Sequence, residues 1–231
     1  MSPSPREYLT GPVVVSDVYD LSQTGTYSIR YDLAGFASTE VSLFIEGRPS
    51  SLEQADAQRQ VSAAGISYSG ACTSTEKSLI NAAVSNAANY ANTAYNYLNA
   101  PPPLLPTRYT TWFGLYSPTN WTTAKSHFSN IKDALENAAI VADCSCEENG
   151  IYAYVYPASP YKIYLCNAFW NAPATGGTFV HEMSHFTVVA GTKDYAYGKV
   201  AATALALSNP SQALDNADNH EYFAENTPYL P

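Results

Sequence analysis

The stretch His181-Glu182-Met183-Ser184-His185 constrains the fold more than any other part of the chain, because its two imidazoles act together only if the backbone around them is helical. A helix turns about 100° per residue, so residues four apart share one face and both rings can reach one metal ion. Glu182 projects beside that face, with its carboxylate near a metal-bound water and outside the coordination sphere, in the place of a general base. Zinc lowers the pKa of such a water toward about 7 and polarises a peptide carbonyl, which is metallopeptidase chemistry. The same three fixed positions also arise by chance on ordinary amphipathic helices, so neighbouring residues must supply the rest of a site.

A catalytic zinc takes three protein ligands and keeps one position open. Metzincin spacing would require Gly at 188 and His at 191, where Val188 and Gly191 stand instead, so that subclass is excluded. The other two histidines, His127 and His220, lie in no local pattern aimed at the site, and His220 reads as a packing or surface residue. Asp194 follows His185 by nine residues, within Gly191-Thr192-Lys193-Asp194-Tyr195-Ala196-Tyr197-Gly198. Its carboxylate is a hard oxygen ligand, and Gly191, just past an apolar helix, reads as a C-cap that turns the chain back toward the metal.

Residues 181–185 and 191–198 together fit His-Glu-x-x-His followed by Gly-Thr-x-Asp-x-x-Tyr-Gly, and here the chain resembles the aspzincins, the deuterolysins and peptidyl-Lys metalloendopeptidases. The similarity extends through Tyr109–Gly114, Tyr154–Pro157, Tyr164–Cys166 and Ala217–Phe223, looks most like the peptidyl-Lys branch, and covers about residues 68 to 231. It implies one Zn²⁺ per chain bound by His181, His185 and Asp194, Glu182 as base, and Tyr197 as the neutral phenol that hydrogen-bonds the developing oxyanion. With 19 tyrosines in the chain, only the motif position singles out Tyr197.

In the same branch, residues matching Asp218 and Glu221 line the pocket for the residue after the cut bond. Two carboxylates in a narrow pocket favour a long-stemmed ammonium, so lysine at P1′ is the expected preference. By spacing alone, Asp218-x-x-Glu221 is also a capping box able to start a last short helix, and the two roles are compatible. The implied fold is α+β and zincin-like: a mostly helical metallopeptidase domain with a small β-hairpin or sheet, preceded by a short β-rich segment.

Composition fits a small secreted enzyme. The formal charge is −9 with 11 basic residues, which disfavours nucleic acid and anionic membranes as partners. No apolar run approaches the roughly 20 residues of a membrane span. A monomer acting on protein or peptide substrates is expected. Cys72, Cys144, Cys146 and Cys166 form an even set that points to two disulfides and an oxidising compartment, with three pairings open to the sequence. The resemblance implies Cys72 with Cys144 and Cys146 with Cys166. No secretory signal opens the chain, so a truncated chain or incomplete precursor is expected.

The composition changes near residue 65. Before it, Val13–Tyr19, Thr26–Tyr31 and Val41–Glu46 read as short strands and Gln54–Ala64 as a linker. Residues 1–65 are expected to be the last part of a propeptide that leans on the peptidase domain, 66–231, and occludes its cleft. An accessory binding module or folding aid is the alternative. After residue 65 the grammar is helical. Thr73-Ser74-Thr75-Glu76 is a capping box, followed at helical spacing by Leu79, Ile80, Ala83, Val84, Ala87, Ala91, Ala94 and Leu98 until Pro101. Further helices are predicted over about Pro118–Asn137, Gly177–Ala190 and Tyr195–Ser208 and from Asn209-Pro210, with strands at Ile151–Tyr156 and Tyr161–Leu165. Three other readings compete: a deuterolysin-like endopeptidase without strict lysine preference, a zinc hydrolase acting on other bonds, and an inactive zincin-fold binding protein. The intact quartet of His181, Glu182, His185 and Asp194 weighs against the last.

Overall fold

The computed structural model describes residues 25–29, 32–33, 36–37, 41–45, 65–172 and 175–231. The chain divides into two compact units, Met1–Arg59 and Gln60–Pro231. In the first, β1 (Gly25–Ile29) pairs antiparallel with β4 (Val41–Ile45), and β2 (Asp32–Leu33) with β3 (Phe36–Ala37). Two of the expected strands are thus present with slightly shorter bounds, whereas Val13–Tyr19 and the Gln54–Ala64 linker lie outside the described residues.

The second unit is mostly helical. Helix α1 (Ser74–Asn99) starts where its capping box places it: Thr73 accepts from Glu76 N at 3.2 Å, and Glu76 accepts from Thr73 N at 2.7 Å. Its buried stripe runs through Ile80, Ala83, Val84, Ala87, Ala88, Ala91, Ala94 and Leu98, while Leu79 faces solvent. The small alanine side chains let two other helices approach closely. One is α3 (Pro118–Asn137), capped by Ser117, which buries Trp121, Ala124, Phe128, Ile131 and Leu135. The other is α4 (Gly176–His185), where a Cβ on Gly176 would stand only 2.8 Å from that of Asn86.

A four-stranded sheet closes the other side, in the order β5 (Ile66–Ser69), β6 (Ile140–Asp143), β8 (Lys162–Leu165), β7 (Ala153–Val155). The β7–β8 pair is antiparallel, and the other two pairings are parallel. The hairpin strands are shorter than their sequence signals, and β5 and β6 carry only four residues each, too few for a clear alternation. Disulfides Cys72–Cys144 and Cys146–Cys166 tie the sheet to the start of α1 and to the loop after β6.

Two boundaries differ from expectation around the motif. Helix α4 ends at His185, not Ala190: Phe186 turns extended, its carbonyl accepts from Val189, Ala190 and Gly191 N, and Gly191 lies beyond the helix. The next long helix, α5 (Lys199–Ser208), begins after Gly198 and not at Tyr195, because residues 193–198 are held against another segment. A short α6 (Pro210–Ala213) follows and leads to α7 (Ala217–Glu225). Arg108, on α2 (Thr107–Phe113), is 2% exposed and satisfies the end of α7 by donating to the carbonyls of Phe223 and Ala224. Burial lowers its pKa to about 10, with Tyr97 opposing, so it stays charged at neutral pH.

At the end of α2, Gly114 has φ 76°, and a Cβ there would overlap the carbonyl oxygen of Ala206 on α5. Gly114→Ala is therefore expected to destabilise the protein by about 2 kcal/mol or more, seen as a melting midpoint several degrees lower. An unchanged midpoint would show that the α2–α5 junction yields without strain.

Candidate metal centre and cleft

His181 and His185 sit one turn apart on α4, and each is oriented through its Nδ1. His185 Nδ1 donates to the Thr192 carbonyl at 2.9 Å. His181 Nδ1 lies 2.9 Å from Asp218 Oδ1 and 3.3 Å from Glu221 Oε2, both on α7. With both Nδ1 atoms engaged as donors, both Nε2 atoms offer lone pairs to the same space, 3.2 Å apart.

Asp194 completes a triangle, with Oδ1 3.3 Å from His181 Nε2 and 3.4 Å from His185 Nε2. These three atoms lie close enough together to serve as ligands of a single cation. Tetrahedral zinc with bonds of about 2.0–2.1 Å spaces its ligands about 3.3 Å apart, so the donor set fits zinc in both chemistry and size. The second acidic grouping, His181 Nδ1 with Asp218 and Glu221, uses the opposite ring nitrogen and works as the hydrogen-bonded support for that ligand.

The turn bearing Asp194 is fastened on both sides. Thr192 N donates to Ser184 O at 3.1 Å, and the Thr192 and Ser184 hydroxyls meet at 2.6 Å. Lys193 N donates to Asp215 O and Ala217 N to Lys193 O, at 2.8 and 3.0 Å. Fully buried Asn216 takes the backbone N–H groups of Tyr195 and Ala196 on its side-chain oxygen and donates to Ala196 O and Asn219 Oδ1. Behind it, His220 donates to Asn216 O and stacks on Phe128, a packing role; burial lowers its pKa to about 3, with His127 adding to the effect.

The capping-box reading of Asp218 and Glu221 does not hold. Asn216 is the N-cap of α7, without a side-chain cap bond, and Asp218 lies inside the first turn. Asp218 is 5% exposed, and its oxygens serve His181 Nδ1 and Gly198 N. Glu221 shares the His181 contact and also faces the open cleft.

Electrostatics follow from this crowding. Burial works against a charged His181, but Asp194, Asp218 and Glu221 outweigh it and hold its pKa well above the ordinary value. Burial likewise opposes ionised Asp194, and the two imidazoles overcome it and depress its pKa. Glu182 is 4% exposed, and burial raises its pKa. Tyr197 stands at the mouth, its phenol pushed up by partial burial and by Asp194, so it remains a protonated donor. His181, Glu182, His185, Asp194, Tyr197, Asp218 and Glu221 all line one cleft of about 1060 Å³, which also takes in Tyr154 of β7, Ile151 and Tyr152 just before it, and Glu225 at the end of α7. Asn216 escaped the sequence reading because it lies in no motif, whereas Thr192 and Gly198, both motif positions, act through backbone groups that a side-chain pattern does not reveal.

Comparison with known proteins agrees with this geometry. The aspzincin family profile, described as lysine-specific metallo-endopeptidase, matches residues 105–225. An extracellular protease of Aeromonas hydrophila is 44% identical over 98% of this chain and 74% of its own length. A peptidyl-Lys metalloendopeptidase of Armillaria mellea is 50% identical over 71% of this chain, which spans only 47% of that protein. The solved zinc peptidase from Grifola frondosa superposes with a TM-score of 0.66 at 44% identity, covering 69% of this chain and 100% of that one.

Removing the Asp218 carboxylate takes away the shorter of His181's two supports. Asp218→Ala is expected to weaken zinc affinity about 10- to 100-fold, read by competition with a chelator of known affinity. Affinity equal to that of the parent chain would mean that Glu221 alone orients His181.

Proposed function

Because this chain belongs to the aspzincin family of zinc metalloendopeptidases, we propose that it cleaves peptide bonds on the amino-terminal side of lysine, using one zinc ion held by His181, His185 and Asp194. The observation that carries this reading is the triangle of two imidazole nitrogens and one aspartate oxygen, edges 3.2 to 3.4 Å, opening onto a cleft with an acidic wall. Bound there, zinc supplies Lewis acidity to a water molecule and to the scissile carbonyl.

The chain's own residues divide the remaining work. Glu182 is the proton acceptor. Its burial raises the affinity of the carboxylate for a proton, so a proton taken from the attacking water can be held and passed to the departing amine. Tyr197, still protonated, donates a hydrogen bond to the oxygen on which negative charge develops. Glu221 and Asp218 give the cleft its negative wall for the P1′ side chain. Glu221 meets the substrate directly, and Asp218 contributes its charge while its oxygens hold His181 and Gly198. Residues 1–65 act as the last part of a propeptide and 66–231 as the peptidase. Supporting that division, the Grifola peptidase is covered in full by 69% of this chain, whereas the Aeromonas protein matches nearly all of it. Two disulfides and the Aeromonas relative's extracellular designation support secretion. No helix among the described residues is long and apolar enough to cross a membrane.

Digestion of a mixed protein substrate followed by mapping of the cuts is expected to place lysine immediately after nearly every cleaved bond. Cuts without basic preference would leave an endopeptidase of relaxed specificity. Glu182→Gln should retain zinc and lower kcat by about 10²-fold or more, since the acceptor is lost and the ligands are kept. Turnover near the parent rate would remove Glu182 from the role of base.

A further inference from the structure

Helix α7 carries a third carboxylate on the face it turns to the cleft. Asp218, Glu221 and Glu225 stand at i, i+3 and i+7, so they form one row along the helix. Asp218 and Glu221 reach His181, as described, whereas Glu225 lies a further turn from the metal centre, about 6 Å along the axis. Its side chain is 11% exposed, and among the described residues it accepts no hydrogen bond. Its nearest cation is Lys199, 3.9 Å from Oε2, and that ammonium is already bonded to Thr227 O at 2.7 Å and lies over the Tyr222 ring.

The other oxygen of Glu225 is aimed elsewhere. A Cβ built on Gly177, in the first turn of α4, would overlap Glu225 Oε1 and stand 2.8 Å from Glu221 Oε1. Both carboxylates therefore pack against the Gly177 backbone, in positions that a side chain at 177 would deny them. Two carboxylates side by side in the largely buried wall of the cleft form a receptor for a single cation. Burial, followed by repulsion from Glu221, pushes the Glu225 pKa up to about 7, the mark of a carboxylate whose countercharge is incomplete.

We propose that Glu225 is a specificity-determining residue: with Glu221 it forms the far end of the P1′ pocket, where a primary ammonium on a four-carbon stem is received, and Gly177 lets the two carboxylates take up their positions against α4. The inference rests on the lysine reading above and deepens it. A substrate side chain enters beside the metal, next to Glu221. Only a stem long enough to travel about one helical turn brings its ammonium within reach of both carboxylates. Ornithine, shorter by one methylene, stops short of Glu225.

The test uses the full chain loaded with zinc and peptides that differ only at P1′, carrying lysine, ornithine, arginine or alanine. The parent enzyme is expected to favour lysine over ornithine by about tenfold or more in kcat/KM. Equal use of lysine and ornithine would overturn the role of Glu225, while equal use of lysine and alanine would overturn the lysine reading itself. Glu225→Gln, which keeps the shape and removes the charge, is expected to reduce the lysine-to-alanine ratio at least about tenfold through KM, with zinc content retained. A ratio equal to the parent's would show that Glu221 and Asp218 suffice. Gly177→Ala would displace both carboxylates from α4 and is expected to raise KM for the lysine peptide more than for the alanine peptide. An equal effect on both peptides would contradict the assignment of these carboxylates to the side-chain pocket.

Discussion

The contact between His181 and Asp218 is the interaction on which the cleft depends, because it joins the helix carrying the imidazoles to the helix carrying the acidic wall. An imidazole is useful to a metal only in one tautomer and orientation, and a buried carboxylate is tolerated only with partners. Each group answers the other's requirement. The second oxygen of Asp218 takes the N–H of Gly198, so the same side chain also fixes the end of the turn that presents Asp194 and Tyr197. One residue of α7 thus sets the position of one candidate ligand, helps set another, and contributes to the negative field a basic side chain would meet.

That economy has an electrostatic consequence. Concentrating Asp194, Asp218, Glu221 and Glu225 along one wall raises the energy of the metal-free protein, relieved by the histidines and by Lys199. Arg108 and the aromatic packing of Phe113, Phe128 and Phe223 hold α7 from behind, so the crowded side chains cannot separate by moving the helix. The strain is kept in place by packing, which is how a site can present uncompensated charge to an incoming cation.

Small residues make the close approach possible. The alanine stripe of α1 and the two glycines opening α4 bring three helices together where bulkier side chains would separate them. Glycine is a poor helix former, so consecutive glycines at 176 and 177 give α4 a start that local propensity does not favour. Gly176 meets Asn86 and Tyr90, and Gly177 meets the carboxylates of α7, so packing overrides propensity at both positions.

The sequence by itself determined the elements with strong local signals. The capping box and alanine spacing of α1, the helix from Pro118, and the two motifs that place His181, His185 and Asp194 were all legible, because each is written in neighbouring residues. Only the tertiary structure decided where α4 stops, since its end depends on Phe186 turning extended and on Thr192 reaching back to Ser184. It also decided that Asp218 serves His181 and not its own helix, although the spacing suited a cap equally well. The four-residue strands β5 and β6 were invisible for a related reason: a strand that short is stabilised by its partners in the sheet and not by any pattern of its own. Glu225 and Gly177 stand 48 positions apart in the chain, and their meeting is a property of how α4 crosses α7, which no local pattern encodes.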